Sequence, residues 1–198
     1  SFDQALVRCG NGRFQHRLFV LVGLCWMADA MEVMVLGFLQ AEVRREWGLD
    51  GVEESLVTSV VFGGELLGCL YWGPLADRRG RRPAFIMATL LISVFGFASA
   101  AASSFALLLL FRFCVGFGIG GLAVPYDLLC EFVPTDSRGR LMMSVQYWWT
   151  IGTLLVAGIA WAMLDTLGWR ALIAICAVPP TVCLMCASCL PESPRWLM

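Results

Sequence analysis

Five ionisable residues lie inside stretches of this sequence that are otherwise apolar: Asp29, Glu32, Glu65, Arg112 and Asp127. An ionised group surrounded by hydrocarbon is costly unless it finds a partner or a water-filled cavity. Asp29 and Glu32 are three residues apart and share one face of a helix. Counted from Leu18, Asp29 lies about 16 Å into its helix, and Arg112 lies about 12 Å into its own from the opposite end. Both depths are close to a bilayer midplane. A pair between Arg112 and one of these acids relieves both burial costs. Acids outnumber bases, so at least one carboxylate is left to hold a proton or a cation. The alternative is a permanent ion pair that only fixes helix packing.

The neighbours of these residues carry further expectations. Glu65 follows Gly63 and Gly64 and precedes Gly68. Such small residues imply close helix contact, which turns Glu65 towards protein. Asp127, four residues before Glu131, reads as a solvated acid at a helix end. Arg112, Gly116 and Gly120 repeat at spacing four, with Gly118 and Gly121 beside them. Alone, the glycines read as a packing face; with a midplane arginine beside them they read as a cavity-lining or moving surface. Trp148 and Trp149 lie a third of the way into an apolar run, deeper than an interfacial belt would place them. With Gln146 they form either lipid-facing bulk or one wall of a substrate cavity. Pro125 and Pro179–Pro180 permit kinks.

The elements that must position these residues follow from composition. The chain has 198 residues, 59% hydrophobic and 15% charged, with net charge −1 and mean hydropathy +0.76. Soluble domains are roughly 45–50% apolar and roughly 25% charged. Disorder and a water-soluble globule are both excluded, and the charge balance does not suit nucleic acid. The charge-free runs Pro83–Phe111, Leu141–Leu164 and Ala171–Pro191 are 29, 24 and 21 residues long. A crossing needs roughly 20. Six spans are expected, at about 18–41, 55–76, 83–102, 105–127, 141–164 and 171–190, with a tight turn near Ala102–Phe105. The runs are continuous rather than alternating, which excludes a β-barrel.

All 14 basic residues are arginine. With six spans, ten of them fall on the side holding both termini, three on the other, and Arg112 lies within a span. The positive-inside rule puts both termini in the cytoplasm. The opening Ser1 suggests a fragment or a trimmed chain. Most of the nine cysteines lie within spans and behave as small apolar residues. Acylation at Cys186 or Cys189 is a further reading. A metal centre lacks partner ligands, and the one histidine, His16, lies outside the spans. No catalytic residue and no cofactor is expected.

Four motifs carry a resemblance. Gly73-Pro74-Leu75-Ala76-Asp77-Arg78-Arg79-Gly80-Arg81-Arg82, in the expected loop between spans two and three, closely resembles the GxLaDrxGRR signature of the major facilitator superfamily. Arg112 with Gly116, Gly118 and Gly120 is similar to the RxxxGxGxG pattern of that superfamily's fourth helix. Glu131, Pro134, Arg138 and Gly139 look like its ExxPxxxRG turn. Pro191-Glu192-Ser193-Pro194-Arg195-Trp196-Leu197 looks like the PESPRWL motif of the sugar-porter branch. Trp26 to Glu32 resembles the first helix of the relatives of synaptic vesicle glycoprotein two, which include nicotinate-type porters and organic-ion carriers.

The resemblance implies an all-α integral membrane protein. Its six helices would form one half, a 3+3 repeat, of a twelve-helix fold that works by alternating access. Residues 1–17 would be a cytoplasmic segment, 18–190 the six-helix domain, and 191–198 the start of a central cytoplasmic loop. The second half is missing. Gly73, Asp77, Arg78, Gly80, Arg81 and Arg82 would form a gate with Glu131, Arg138, Glu192 and Arg195; Asp77 and Arg81 would lock against a helix of the missing half. The expected function is secondary or facilitative transport of small organic ions or metabolites, coupled to protons, across the lipid bilayer. Asp29, Glu32, Glu65, Arg112, Gln146 and Trp149 would bind substrate or proton. The alternatives are a non-transporting receptor or scaffold with the same fold, and a sugar porter. Sugar carriers of this branch use Gln and Asn pairs on the fifth and seventh helices, and here the fifth offers only Gln146. An intramembrane enzyme would need a nucleophile–base pair, and Ser144 has no base in register.

Overall fold

The computed structural model describes residues 12–187 together with Leu190, Glu192, Ser193 and Trp196. Among these, seven α-helices follow one another: α1 (Arg13–Trp47), α2 (Gly51–Arg79), α3 (Arg81–Ala100), α4 (Phe105–Ile119), α5 (Ala123–Phe132), α6 (Thr135–Cys176) and α7 (Val178–Cys186). Five helical segments are long and apolar enough to cross a membrane: Arg13–Trp47, Gly51–Arg79, Arg81–Ala100, Phe105–Phe132 and Thr135–Cys186.

Local sequence explains the boundaries. Gly48 ends α1 in the left-handed region, at φ 63°, which glycine adopts without steric cost. Asp50 then caps α2, accepting from the amides of Val52 and Glu53, while Glu53 reaches back to the Asp50 amide at 3.2 Å. This reciprocal pairing satisfies amides that the first helical turn leaves without partners. Ser104 accepts from the Leu107 amide at the start of α4. Gly168, at φ 73° and ψ 175°, breaks α6 internally.

Several expected boundaries shift. The motif expected as a loop is helical through Arg79, with Pro74 inside α2, and Gly80 alone separates α2 from α3. The expected single span over 105–127 is interrupted by a tight turn at Gly120–Leu122, where Gly121 and Leu122 donate to Gly118 and Ile119. Pro125 is not the kink. It occupies the first turn of α5, where its missing N–H costs no helix hydrogen bond. Pro179 and Pro180 likewise open α7 just after a break at Ala177.

α1 packs most extensively on α6, and α4 lies against both α2 and α3. The α2–α4 seam is built from glycines. A Cβ on Gly64 or Gly68 would run into the Phe113 or Phe117 carbonyl, and one on Gly116 into that of Val61. Small residues let two backbones touch, which is the packing that holds helices together in lipid. The glycine face of α4 is therefore a packing face, and the cavity-lining expectation for it is overturned.

Candidate functional site

Arg112 is fully buried, and so is Glu32. Arg112 Nη1 donates to Glu32 Oε2 at 2.9 Å, bridging α4 and α1. The expected arginine–acid pair is present, and Glu32 is its acid. The other guanidinium nitrogens, Nε and Nη2, are buried without a hydrogen-bond partner, as is Glu32 Oε1. Asp29, one turn earlier on α1, has a buried, unpartnered Oδ1, and Glu65 on α2 has a buried, unpartnered Oε2. Of these three carboxyl groups, Glu32 alone pairs with the arginine, and Asp29 and Glu65 each keep a buried oxygen without a hydrogen-bond partner.

A second cluster adjoins Asp29. Trp26, three residues before it and on the same helical face, stacks on Tyr126 of α5 with ring centroids 5.1 Å apart and 25° between planes. Trp149 of α6 lies 6.2 Å from Trp26. Trp26 Nε1 donates to Gln146 Oε1 at 3.3 Å. Gln146 is exposed, and Trp26, Tyr126 and Trp149 are half-buried. Three helices therefore present one aromatic wall with an amide at its edge. Trp148 does different work: its indole fills the space over Gly23 of α1. Sequence reasoning singled out Gln146 and Trp149 but gave Trp26 and Tyr126 no role. The signal available was the three-residue spacing of Trp26 and Asp29.

The arginine-rich end carries a denser network. Gly80 adopts φ 101°, and a Cβ there would lie 2.7 Å from Glu192 Oε2. Glu192 Oε1 accepts from the Arg81 amide at 2.7 Å, the Arg82 amide at 3.3 Å and the Ser193 amide at 3.0 Å. A carboxylate at the N-terminus of α3 is stabilised by that helix's free amides and dipole. Arg81 bridges Glu131 at 2.9 Å and Asp127 at 3.4 Å. Ser193 Oγ donates to Glu131 Oε2. Asp127 is exposed, as expected, and its link to Arg81 was not foreseen. Arg138 donates to the Val133 carbonyl at 3.1 Å and meets no carboxylate among the described residues. Asp77 borders a cavity of about 250 Å³ with Arg81, Glu131 and Ser193. Gly73, Asp77 and Arg78 are exposed. Arg195 and Cys189 lie outside the described residues.

The opposite end is tied together as well. Arg170 makes two hydrogen bonds to Glu46, at 2.8 and 2.9 Å, and its guanidinium lies 4.2 Å from the Trp169 ring centre. Trp169 Nε1 also donates to Glu46. Among the described residues no group of His, Cys, Asp and Glu could hold a metal.

The family model described as "Sugar (and other) transporter" matches residues 27–198. The chain belongs to this family. It is 41% identical over all 198 residues to organic cation/carnitine transporter 7 of Arabidopsis thaliana, covering 40% of that protein. Over 194 residues it is 37% identical to the synaptic vesicle 2-related protein of Bos taurus, covering 98% of this chain and 35% of that one. The chain thus spans about two fifths of the length of these curated relatives. Its fold matches the inward-open xylose transporter XylE from E. coli with TM-score 0.83 and 22% identity, over 93% of this chain and 49% of that one. The chain thus carries the fold of about half of that solved transporter.

Proposed function

We propose that the chain is the six-span half of a proton-coupled carrier for small organic ions. The observation that carries this reading is the uneven pairing at the midplane. Glu32 neutralises Arg112, which leaves Asp29 with a buried oxygen and no cation. A carboxylate in that position is relieved by a proton or a cationic ligand, and exchange of the two is the chemistry of coupled transport. The aromatic wall beside it suits an organic cation, because ring faces attract positive charge. The printed name of the Arabidopsis relative, an organic cation/carnitine transporter, supports the same substrate class.

The six-span count rests on length. Thr135–Cys186 has 52 residues, roughly 78 Å of helix at 1.5 Å per residue, against a hydrocarbon core of roughly 30 Å. The break at Gly168 divides it into two crossings. Both termini then lie on the arginine-rich, cytoplasmic side, with residues 18–190 as the membrane domain. Gating falls to the network of Arg81, Glu131 and Glu192, working against a partner half.

The test is uptake by the whole protein in proteoliposomes, comparing wild type with Asp29→Asn. The expected result is uptake of a tetraalkylammonium probe that depends on a proton gradient in the wild type and loses that dependence in the variant. Unchanged uptake with unchanged pH dependence defeats the coupling role. Uptake of neutral pentose alone favours the sugar-porter reading, and absence of any uptake favours the receptor or scaffold reading.

A further inference from the structure

A groove of about 470 Å³ opens beside the first helix, lined by Phe14, Arg17, Leu18, Val20, Leu21 and Leu24 of α1 and by Cys186 of α7. From Phe14 to Leu24 it follows roughly 15 Å of helix, half of a hydrocarbon core roughly 30 Å thick. Its length is that of one membrane leaflet. Its lining is apolar apart from Arg17, which sits where the apolar run of α1 begins. Arg13, one turn earlier on the same face, is exposed like Arg17. Neither meets a carboxylate among the described residues, while Arg44, Arg45, Arg81, Arg112 and Arg170 each do. Two guanidinium groups that meet no carboxylate among the described residues, at the head of a leaflet-long apolar channel, complement a phosphate ester carrying a hydrocarbon tail. Arginine recognises phosphate well because its planar fork offers paired donors.

We propose that this groove holds one anionic phospholipid, with its phosphate on Arg17 and one acyl chain along Leu18, Leu21 and Leu24. The site is independent of the transport reading, since it shares no residue with the midplane cluster. The test uses the whole protein in nanodiscs and a phosphatidylglycerol with a photoactivatable diazirine in its acyl chain. The label is expected on the segment 14–24 and around Cys186. Unlabelled phosphatidylglycerol should displace it, and phosphatidylcholine should not. Arg17→Gln should lower labelling roughly fivefold, the worth of one basic residue near an anionic surface. Val20→Trp fills the groove from its exposed rim without altering Arg17, and it should lower labelling too if Arg17→Gln fails to fold. Equal labelling by a phosphatidylcholine analogue overturns the proposal. So does displacement by inorganic phosphate alone, full labelling in both variants, or a protein segment crosslinked in the groove in place of lipid.

Discussion

Glu32 and Arg112 hold each other in place across two helices, and removing either leaves the other as an uncompensated buried charge. Breaking such a pair costs about 3–5 kcal/mol. Glu32→Gln is therefore expected to lower the thermal unfolding midpoint sharply in detergent. Asp29→Asn has no ion-pair partner to orphan and should unfold near the wild-type temperature. Equal stability of the two variants would show that Arg112 is held by something else. Trp26 belongs to the same scale. Cation–π contacts are worth about 0.5–2 kcal/mol, so Trp26→Ala should weaken the apparent affinity for an ammonium substrate by roughly twofold to thirtyfold, read as KM in uptake assays. Affinity unchanged by that substitution removes the aromatic wall from the binding site. The charged members of the cluster were readable from sequence because a charge inside an apolar run is conspicuous. Which acid pairs with Arg112 was not readable. Asp29 and Glu32 share a helical face, and the choice between them is made by how α1 rotates against α4. Trp26 and Tyr126 were silent for a related reason: an aromatic in a hydrophobic helix looks like ordinary bulk until another helix brings a second ring to it.

The helices owe their close approach to glycines that differ in what surrounds them. Gly116 meets the α2 backbone directly, whereas nothing lies within 4 Å of a Cβ placed on Gly73. Overpacking a tight site costs about 1–3 kcal/mol, and a carbonyl in a packed helix has little room to yield. Gly116→Val should thus fall at the upper end of that range or abolish folding. Gly73→Ala, inside α2, should match or exceed wild-type stability by up to about 1 kcal/mol, the difference in helix propensity between the two residues. Thermal melts of both variants check the contrast, and comparable losses would contradict it. The same motif shows where element boundaries escaped sequence reading. Gly73-Pro74 opens the motif expected as a loop, yet α2 continues through it for another turn and a half. Within a membrane, neighbouring helices re-satisfy the backbone that proline disturbs. Gly80 makes the actual turn because the positive φ and the nearby Glu192 carboxylate leave no comfortable space for a side chain.

Both ends of the bundle carry clustered ion pairs, while its middle, among the described residues, holds one, between Glu32 and Arg112. At one end Glu46, Arg170 and Trp169 link residues more than 120 positions apart, and Trp47 edges against both Trp169 and Phe105. The charged part of this clasp is solvent-exposed, and exposed ion pairs contribute about 0–1 kcal/mol. Truncating a buried tryptophan costs about 3–5 kcal/mol. Trp169→Ala is accordingly expected to destabilise far more than Glu46→Gln, measured by thermal melts, and the reverse order would make the clasp electrostatic. From sequence, Arg170 was legible only as a topology signal, because nothing local announces a partner 124 residues away. Fastened ends and a sparsely paired centre also decide how the half responds to voltage. Glu32 and Arg112 compensate each other over 2.9 Å, so a transmembrane field does almost no net work on them. In the proposed cycle Asp29 is uncompensated. Each elementary charge carried across the field is worth roughly 2.3 kcal/mol per 100 mV, and that electrical work falls on Asp29 and whatever cation it holds. Current through this protein should therefore report the occupancy of Asp29, together with any charge carried by Glu65, whose buried oxygen is likewise without a partner.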